Sequence, residues 1–223
     1  MYAVKIASDK KSAGHEINIL ETLTLNDRPN QKGCVRIKEA FEVSGSICIV
    51  TDLYGKNLDD VLIRQPSTHL PLSEFTSVLR QLLESVDFIH STGIIHTDIK
   101  PANVVLAVRT VRKRGRISRD LPNDKSIRLI DFGSAVFGDG PHELEITTPP
   151  YRSPEACLGM SYSYPTDIWS LACTALELFI RKPLFDGWCN IQRLAEMEAI
   201  SGPFPRHMVQ EWYRNRGNEP TWV

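Results

Sequence analysis

What is scarce in this sequence narrows the possibilities first. Its 223 residues hold only five cysteines, Cys34, Cys48, Cys157, Cys173 and Cys189, odd in number and with no CxxC pair. That pattern excludes a disulfide framework or a cysteine zinc site and reads as reduced thiols in a cytosolic or nuclear setting. Charge of one sign is also missing. Twenty-six Lys and Arg against 27 Asp and Glu leave a formal net charge of −1, which gives no global argument for nucleic acid or an anionic membrane as partner. The most apolar helical stretch, "DIWSLACTALELFI", is too short and too interrupted to span a bilayer. "MYAVKIASDKK" carries a Lys inside its only apolar run and so is no signal peptide. Internal repeats and low-complexity tracts are absent.

What is present is ordinary globular material, 42% hydrophobic and 24% charged, enough for one large domain or two small ones. "YAVKIA" alternates as a strand does, and "HEINILETL" sets Ile17, Leu20 and Leu23 on one helical stripe. "VRIKEAFEV" and "SICIVTDL" read as strands around the turn "SGS". Residues 55–72 read as a connecting region. "SEFTSVLRQLLESVDFIHSTG" has Phe75, Val78, Leu79, Leu82, Leu83, Val86 and Ile89 at helical spacing, with Ser73 as N-cap and Gly93 as stop. "NVVLAV" and "SIRLIDF" are short strands flanking a basic segment, and "PTDIWSLACTALELFI" is apolar on all sides, as a helix at the centre of a lobe should be. The tail from Gly202 shows weak periodicity. A β-rich front and a helical back predict two lobes joined near 51–57.

The chemistry-bearing residues cluster in a few short motifs. "HTDIKPANVVL" places Asp98, Lys100 and Asn103 at fixed offsets, "DFGSA" follows at 131–135, then "SPE" at 153–155 and a D-x-W. A lone Asp-Phe-Gly is usually a turn, and a lone Lys in a strand is usually solvated. An ordered series of this kind is not assembled by chance. It resembles the protein kinases: His96, Asp98 and Asn103 match H-x-D-x-x-x-x-N, and "YAVKI" resembles the strand that carries the ATP lysine. The implied fold is α+β, two-lobed, with an incomplete N-terminal β lobe over 1–54 and a mostly helical C-terminal lobe over 55–223 that lacks its final helices.

The resemblance implies a role for each residue. A transferring phosphoryl group is anionic and needs positioning and charge neutralisation more than covalent help. Asp98 would accept the proton of a substrate hydroxyl, and Asn103 and Asp131 would hold Mg²⁺ through hard oxygen ligands. Lys5 would reach the α- and β-phosphates of ATP, paired with Glu16, while Lys100 would steady the γ-phosphate. In the hinge "IVTDLYG", the Asp52 carbonyl and Tyr54 amide would meet adenine, with Thr51 as gatekeeper. Lys100, and Thr148 bridging it to Asp98, resemble serine/threonine kinases; dual specificity stays open.

Thr97 stands where many kinases have an Arg that reads a phosphate on the activation loop, and Thr cannot do that. "HTD", "DFGSA", "YRSPE" with Arg152, and "LAEMEAISGPFP" resemble the SR-protein and LAMMER-type kinases of the CMGC group, which phosphorylate arginine/serine-rich splicing factors. The implied partners are therefore Ser/Thr-bearing proteins, including Arg/Ser-rich ones, met by a monomer in the nucleus and/or cytoplasm. Asp98 and Asp131 lie 33 residues apart, and the insert "VRTVRKRGRISRD" packs six Arg or Lys into thirteen residues. It reads as a solvated loop or as a nuclear-localisation or RNA-facing patch.

Departures from the family pattern matter as well. Only four residues precede Lys5, none of them glycine, so no G-x-G-x-x-G leads into its strand. Lys5 to Glu16 is tighter than usual, which should shorten the start of the paired helix, and the arginine that normally pairs Glu155 has no evident counterpart. The expectation is the middle of a kinase domain, from an incomplete coding sequence of an active enzyme. A pseudokinase-like fragment that binds proteins without phosphorylating them is the alternative.

Overall fold

The computed structural model describes residues 1–64, 70–107, 112–113, 116–117, 126–138 and 148–216. A small antiparallel sheet is formed by β1 (Tyr2–Ala7), β2 (Ile37–Val43) and β3 (Ser46–Asp52), in the order β1-β3-β2. The β2–β3 hairpin turns at Ser44 and Gly45, whose φ values of 50° and 84° give the left-handed pair that a two-residue turn needs to match strand twist. Lys5 pairs with Ile49, and Ala3 with Thr51, so these four residues share the sheet's inner face.

Between β1 and β2 runs α1 (Lys10–Asn26). The side chain of Asp9 caps it, accepting from the Lys11 and Ser12 amides at 3.1 and 3.2 Å. The tight Lys5–Glu16 spacing is absorbed by starting the helix three residues after β1 ends. Its buried face carries Ala13, Glu16, Ile19, Leu20 and Leu23; Ile17, placed on the expected stripe, is only partly buried. Asp27 then accepts from the Gln31 and Lys32 amides at 2.9 and 3.0 Å, shaping the loop back to the sheet.

The helical part begins earlier than expected. Residues 55–72 are more than a connection, because α2 (Leu58–Arg64) forms there and buries Leu58 and Leu62. Next, α3 runs Leu72–Ser91 with Pro71, not Ser73, at its N-cap and no side-chain cap bond. Pro71 suits that place because a missing amide costs nothing at a helix start. Val78, Leu82, Val86 and Ile89 face the core, Leu83 is exposed, and Gly93 at φ 79° turns the chain. Short ladders follow: β4 (Ile94–Ile95) with β9 (Val136–Phe137), β5 (Val104–Leu106) with β8 (Ile127–Leu129), and β6 (Arg112–Lys113) with β7 (Arg116–Ile117). Apart from β6 and β7, the basic insert 108–120 lies outside the described residues.

After α4 (Pro154–Cys157) comes α5 (Pro165–Ile180), which ends at Arg181 in a left-handed conformation. It is not apolar all round. Thr166, Asp167, Ser170 and Thr174 are buried on it, whereas Ile168, Leu176 and Phe179 are exposed. The hydrophobic composition hid a helix whose inner face is built for hydrogen bonds. The region from Gly202 also has more order than its periodicity suggests, since α6 (Asn190–Ser201) is followed by α7 (Arg206–Arg216). One core unites Ile19 and Leu23 of α1, Ile49 of β3, Leu82 and Ile89 of α3 and Leu171 and Leu178 of α5; a second lies around Tyr151, Cys157, Cys173, Phe185 and Met197. No described helix is long and apolar enough to cross a membrane.

Two glycines test this packing in opposite directions. A Cβ at Gly14, on the open side of α1, would meet nothing within 4 Å, so Gly14→Ala should raise the unfolding free energy by about 0.5–1 kcal/mol. At Gly33, with φ 73°, a Cβ would lie 2.2 Å from Ser85 Oγ. Gly33→Ala should cost about 1–3 kcal/mol in urea unfolding.

Candidate active site

The site is organised by a buried carboxylate on α5. Asp167 is fully buried; its Oδ2 accepts from the His96 amide at 2.8 Å and from His90 Nε2 at 2.9 Å, and its Oδ1 accepts from the Thr97 amide at 2.8 Å. A buried carboxylate is tolerable only when its lone pairs are taken up in this way. These bonds fix the backbone that leads into Asp98, with Thr97 at φ 66°. The sequence showed Asp167 only as the acid of D-x-W. The available signal was a charged residue in an otherwise apolar helix.

His96 is also fully buried, stacked edge-on against Phe132 at 4.7 Å. Its Nε2 donates to the Ile130 carbonyl at 3.1 Å, and its Nδ1 accepts from the Asp98 amide at 3.2 Å. Burial pushes its pKa down, against the opposing pull of Asp167, so the ring stays neutral and in one tautomer.

Asp98 sits at the centre of a tight polar knot. Thr148 donates its hydroxyl to Asp98 Oδ1 at 2.7 Å and its amide to the same oxygen at 3.1 Å. Lys100 Nζ reaches Asp98 Oδ2 and Thr148 Oγ1, both at 2.7 Å. Asn103 Nδ2 donates to the Asp98 carbonyl at 2.8 Å and to Oδ2 at 3.1 Å. All four residues named in this group from the sequence meet here, with Thr148 brought from 50 positions away.

The second group meets across a cavity of about 420 Å³ beneath the sheet, lined by Lys5, Glu16, Thr51, Asp52, Tyr54, Asn103 and Asp131 among others. Lys5 Nζ lies 2.9 Å from Glu16 and 2.8 Å from Asp131. Burial alone would lower the lysine's pKa, but the bonds to Asp131 and Glu16 outweigh it and raise the value. Asp131 mirrors this: burial would raise its carboxyl, and Lys5 holds it below the ordinary range. A Cβ at Gly133 would come within 3.0 Å of Lys5 Nζ, so the glycine lets this group close. Thr51 and Tyr54 stand on the cavity wall, and Asp52 is paired with Lys38 at 3.0 Å.

Other contacts were not legible in the sequence. Tyr151 OH donates to Glu177 Oε2 at 2.6 Å, Ser153 and Thr166 share a bond of 2.7 Å, and His15, beside Glu16, donates to the Ala135 carbonyl at 2.8 Å. None has a local pattern, because each joins residues far apart in the chain.

Comparison with known proteins decides the identity of this arrangement. The protein kinase domain matches residues 1–215. The chain belongs to the protein kinase family. Among its relatives is the dual specificity protein kinase lkh1 of Schizosaccharomyces pombe, 41% identical over 87% of this chain and 29% of that protein. Another is the dual specificity protein kinase KNS1 of Saccharomyces cerevisiae, 36% identical over 95% of this chain and 32% of that protein. The serine/threonine-protein kinase AFC1 of Arabidopsis thaliana is 36% identical over 96% and 49% respectively. These are kinases of the LAMMER type within the CMGC group, as the "HTD" motif suggested. The chain spans about a third to a half of the length of these relatives. A kinase domain implies ATP as the bound nucleotide.

The state of His96 sets a pH test. A base whose folded pKa is depressed leaves stability intact above its unfolded value near 6.5 and removes it as pH falls, because only the unfolded chain takes the proton. The unfolding free energy of the kinase should therefore drop below pH 6.5 by up to about 1.4 kcal/mol per pH unit from this residue. His96→Asn should be less stable overall yet show a slope shallower by about one proton in urea titrations repeated across pH.

Proposed function

We propose that this chain carries the phosphoryl-transfer centre of a serine/threonine protein kinase, moving the γ-phosphate of ATP onto protein hydroxyls. The observation that carries the reading is the knot at Asp98. Thr148 through its hydroxyl and amide, Lys100 and Asn103 hold both carboxylate oxygens at 2.7–3.1 Å, which fills the four acceptor positions and fixes the base, so an incoming hydroxyl would take the place of one of these donors as it hands over its proton. Lys100 Nζ, held between Asp98 and Thr148, puts a cation beside the base, where charge passes during transfer. Lys5 has two carboxylate partners, so it can give up Asp131 for the α- and β-phosphates while Glu16 keeps it in place. Adenine would meet the Asp52 carbonyl and the Tyr54 amide, with Thr51 at the back of the cavity.

The donors suit Mg²⁺. Asn103 commits its Nδ2 to Asp98, which turns its amide oxygen to other use, and Asp131 offers an ionised carboxylate; both are the hard oxygens that this ion takes. When bound, Mg²⁺ supplies charge neutralisation and orientation of the phosphates.

Serine and threonine hydroxyls are the acceptors that the Lys100 and Thr148 motif resemblance suggests, with dual specificity open, and Arg/Ser-rich proteins are the substrate class that the LAMMER-type kinship suggests. We place the kinase as a monomer in the nucleus and/or cytoplasm. Its activity should not need activation-loop phosphorylation, since Thr97 carries no guanidinium to read a phosphate. Thr147 lies outside the described residues, Thr148 is bound to Asp98, and the Tyr151 hydroxyl is bonded to Glu177.

Mg²⁺-ATP should label an Arg/Ser-rich peptide, and Asp98→Asn should reduce that labelling by about 100-fold or more. Absence of both labelling and an ATP-induced thermal shift would overturn the reading. A large rate gain on phosphorylating Thr147, Thr148 or Tyr151 would contradict independence from the switch.

A further inference from the structure

The four residues after Phe132 leave the site under an unusual restraint. Gly133 passes close to Lys5, and then two consecutive carbonyls are each captured by a side chain from a different element. Thr97 Oγ1 donates to the Ser134 carbonyl at 2.8 Å, and His15 Nε2 donates to the Ala135 carbonyl at 2.8 Å. Gly133 and Ser134 form a turn in which the Ala135 amide donates to the Phe132 carbonyl at 3.1 Å, and capturing both carbonyls holds the peptide planes on either side of Ala135. Ala135 is fully buried, and Val136 and Phe137 go on to pair with Ile95 and Ile94.

Each tether starts from a residue next to the machinery. Thr97 precedes Asp98, and His15 precedes Glu16, which holds Lys5 at 2.9 Å. The His15 ring also packs edge-on against Phe137, with centroids 6.2 Å apart. Thr97 shows what its tether overcomes. A β-branched residue at φ 66° is strained, and such strain persists only where surrounding bonds over-determine it. Those bonds are the Thr97 amide to Asp167 at 2.8 Å and the hydroxyl to Ser134.

From this we infer that the Thr97 hydroxyl and the His15 imidazole act together as positioning residues. They fix Asp131 relative to Asp98 and to the Lys5–Glu16 pair by hydrogen bonds to the Ser134–Ala135 backbone. The inference rests on the kinase reading above for its catalytic consequence, and on geometry alone for its structural one. Thr97 is thus more than the absence of an arginine: it supplies a standing bond from the catalytic loop to the segment after Asp131.

The test uses the whole protein and two pairs of variants. Thr97→Val and His15→Leu delete the donors; Thr97→Ser and His15→Gln keep them. With Mg²⁺-ATP and an Arg/Ser-rich peptide, each deletion should lower kcat by about fivefold or more while changing KM for ATP less than about twofold, because Thr51, Asp52 and Tyr54 on the adenine side of the cavity are untouched. The donor-keeping variants should restore kcat to within about twofold of the parent. The double deletion should lose less than the product of the single losses, since both tethers hold one segment. Hydrogen exchange supplies the arm that does not need turnover: amides of 134–138 should exchange faster in the Val and Leu variants, but not in Ser and Gln, with α5 unchanged. Equal losses in the Val and Ser variants, or unchanged exchange at 134–138 on deletion, would overturn the inference. A parent that shows no turnover but the expected exchange pattern defeats the kinase reading alone. If Thr97→Val does not fold, the His15 pair on the exposed side of α1 decides the same question.

Discussion

Everything at the centre of this molecule hangs on one buried carboxylate. Asp167 takes hydrogen bonds from the His96 and Thr97 amides and from the His90 ring, and these offset its loss of water. The requirement works in both directions. The carboxylate needs those donors, and the donors hold the loop backbone in a conformation, with Thr97 at φ 66°, that it would not adopt unaided. The short 3₁₀ turn Pro101–Asn103 follows and delivers Asn103 back to Asp98. The helix α5 is therefore less a hydrophobic pillar than a scaffold with a polar inner face.

Around that anchor the charged groups divide into two sets with different physics. At Asp98 the partners are close in space and multiply bonded, so the carboxylate is held in one position. At Lys5 the two carboxylates compete for one ammonium, which is half exposed and so only moderately committed to either. The first set suits a residue that must not move. The second suits a residue that changes partner. His96 lies between them, touching Phe132 on one side and the Asp98 amide on the other, and it couples the two sets without carrying charge.

Legibility followed the range of the interactions. Helix α3 could be read from its apolar stripe, and the β2–β3 hairpin from Ser-Gly-Ser, because both depend on neighbours in the chain. Pro71 as cap, α2 and α7 were missed, since short helices held by packing have little periodic signal. The candidate residues of the site were named from motif resemblance, and Thr148, Lys100 and Asp98 do come together. The tethering roles of the residues that hold them were not legible, although Thr97 and the acid of D-x-W were noted. Asp167 was hidden in a run that looked uniformly apolar, and His15 in an exposed helix face.

The sequence by itself determined which chemistry was available: carboxylates, an amide and two lysines in motifs of set spacing, in a chain with no disulfide or membrane framework to suggest another use. Those facts are local, because spacing within a loop and residue type are properties of a few neighbouring positions. Only the tertiary structure decided how the pieces are held. Thr148 reaches Asp98 across 50 residues, Asp167 reaches Thr97 across 70, and His15 reaches Ala135 across 120. Bonds over such separations depend on the packing of α1, α3 and α5 about a shared core, which no local pattern encodes.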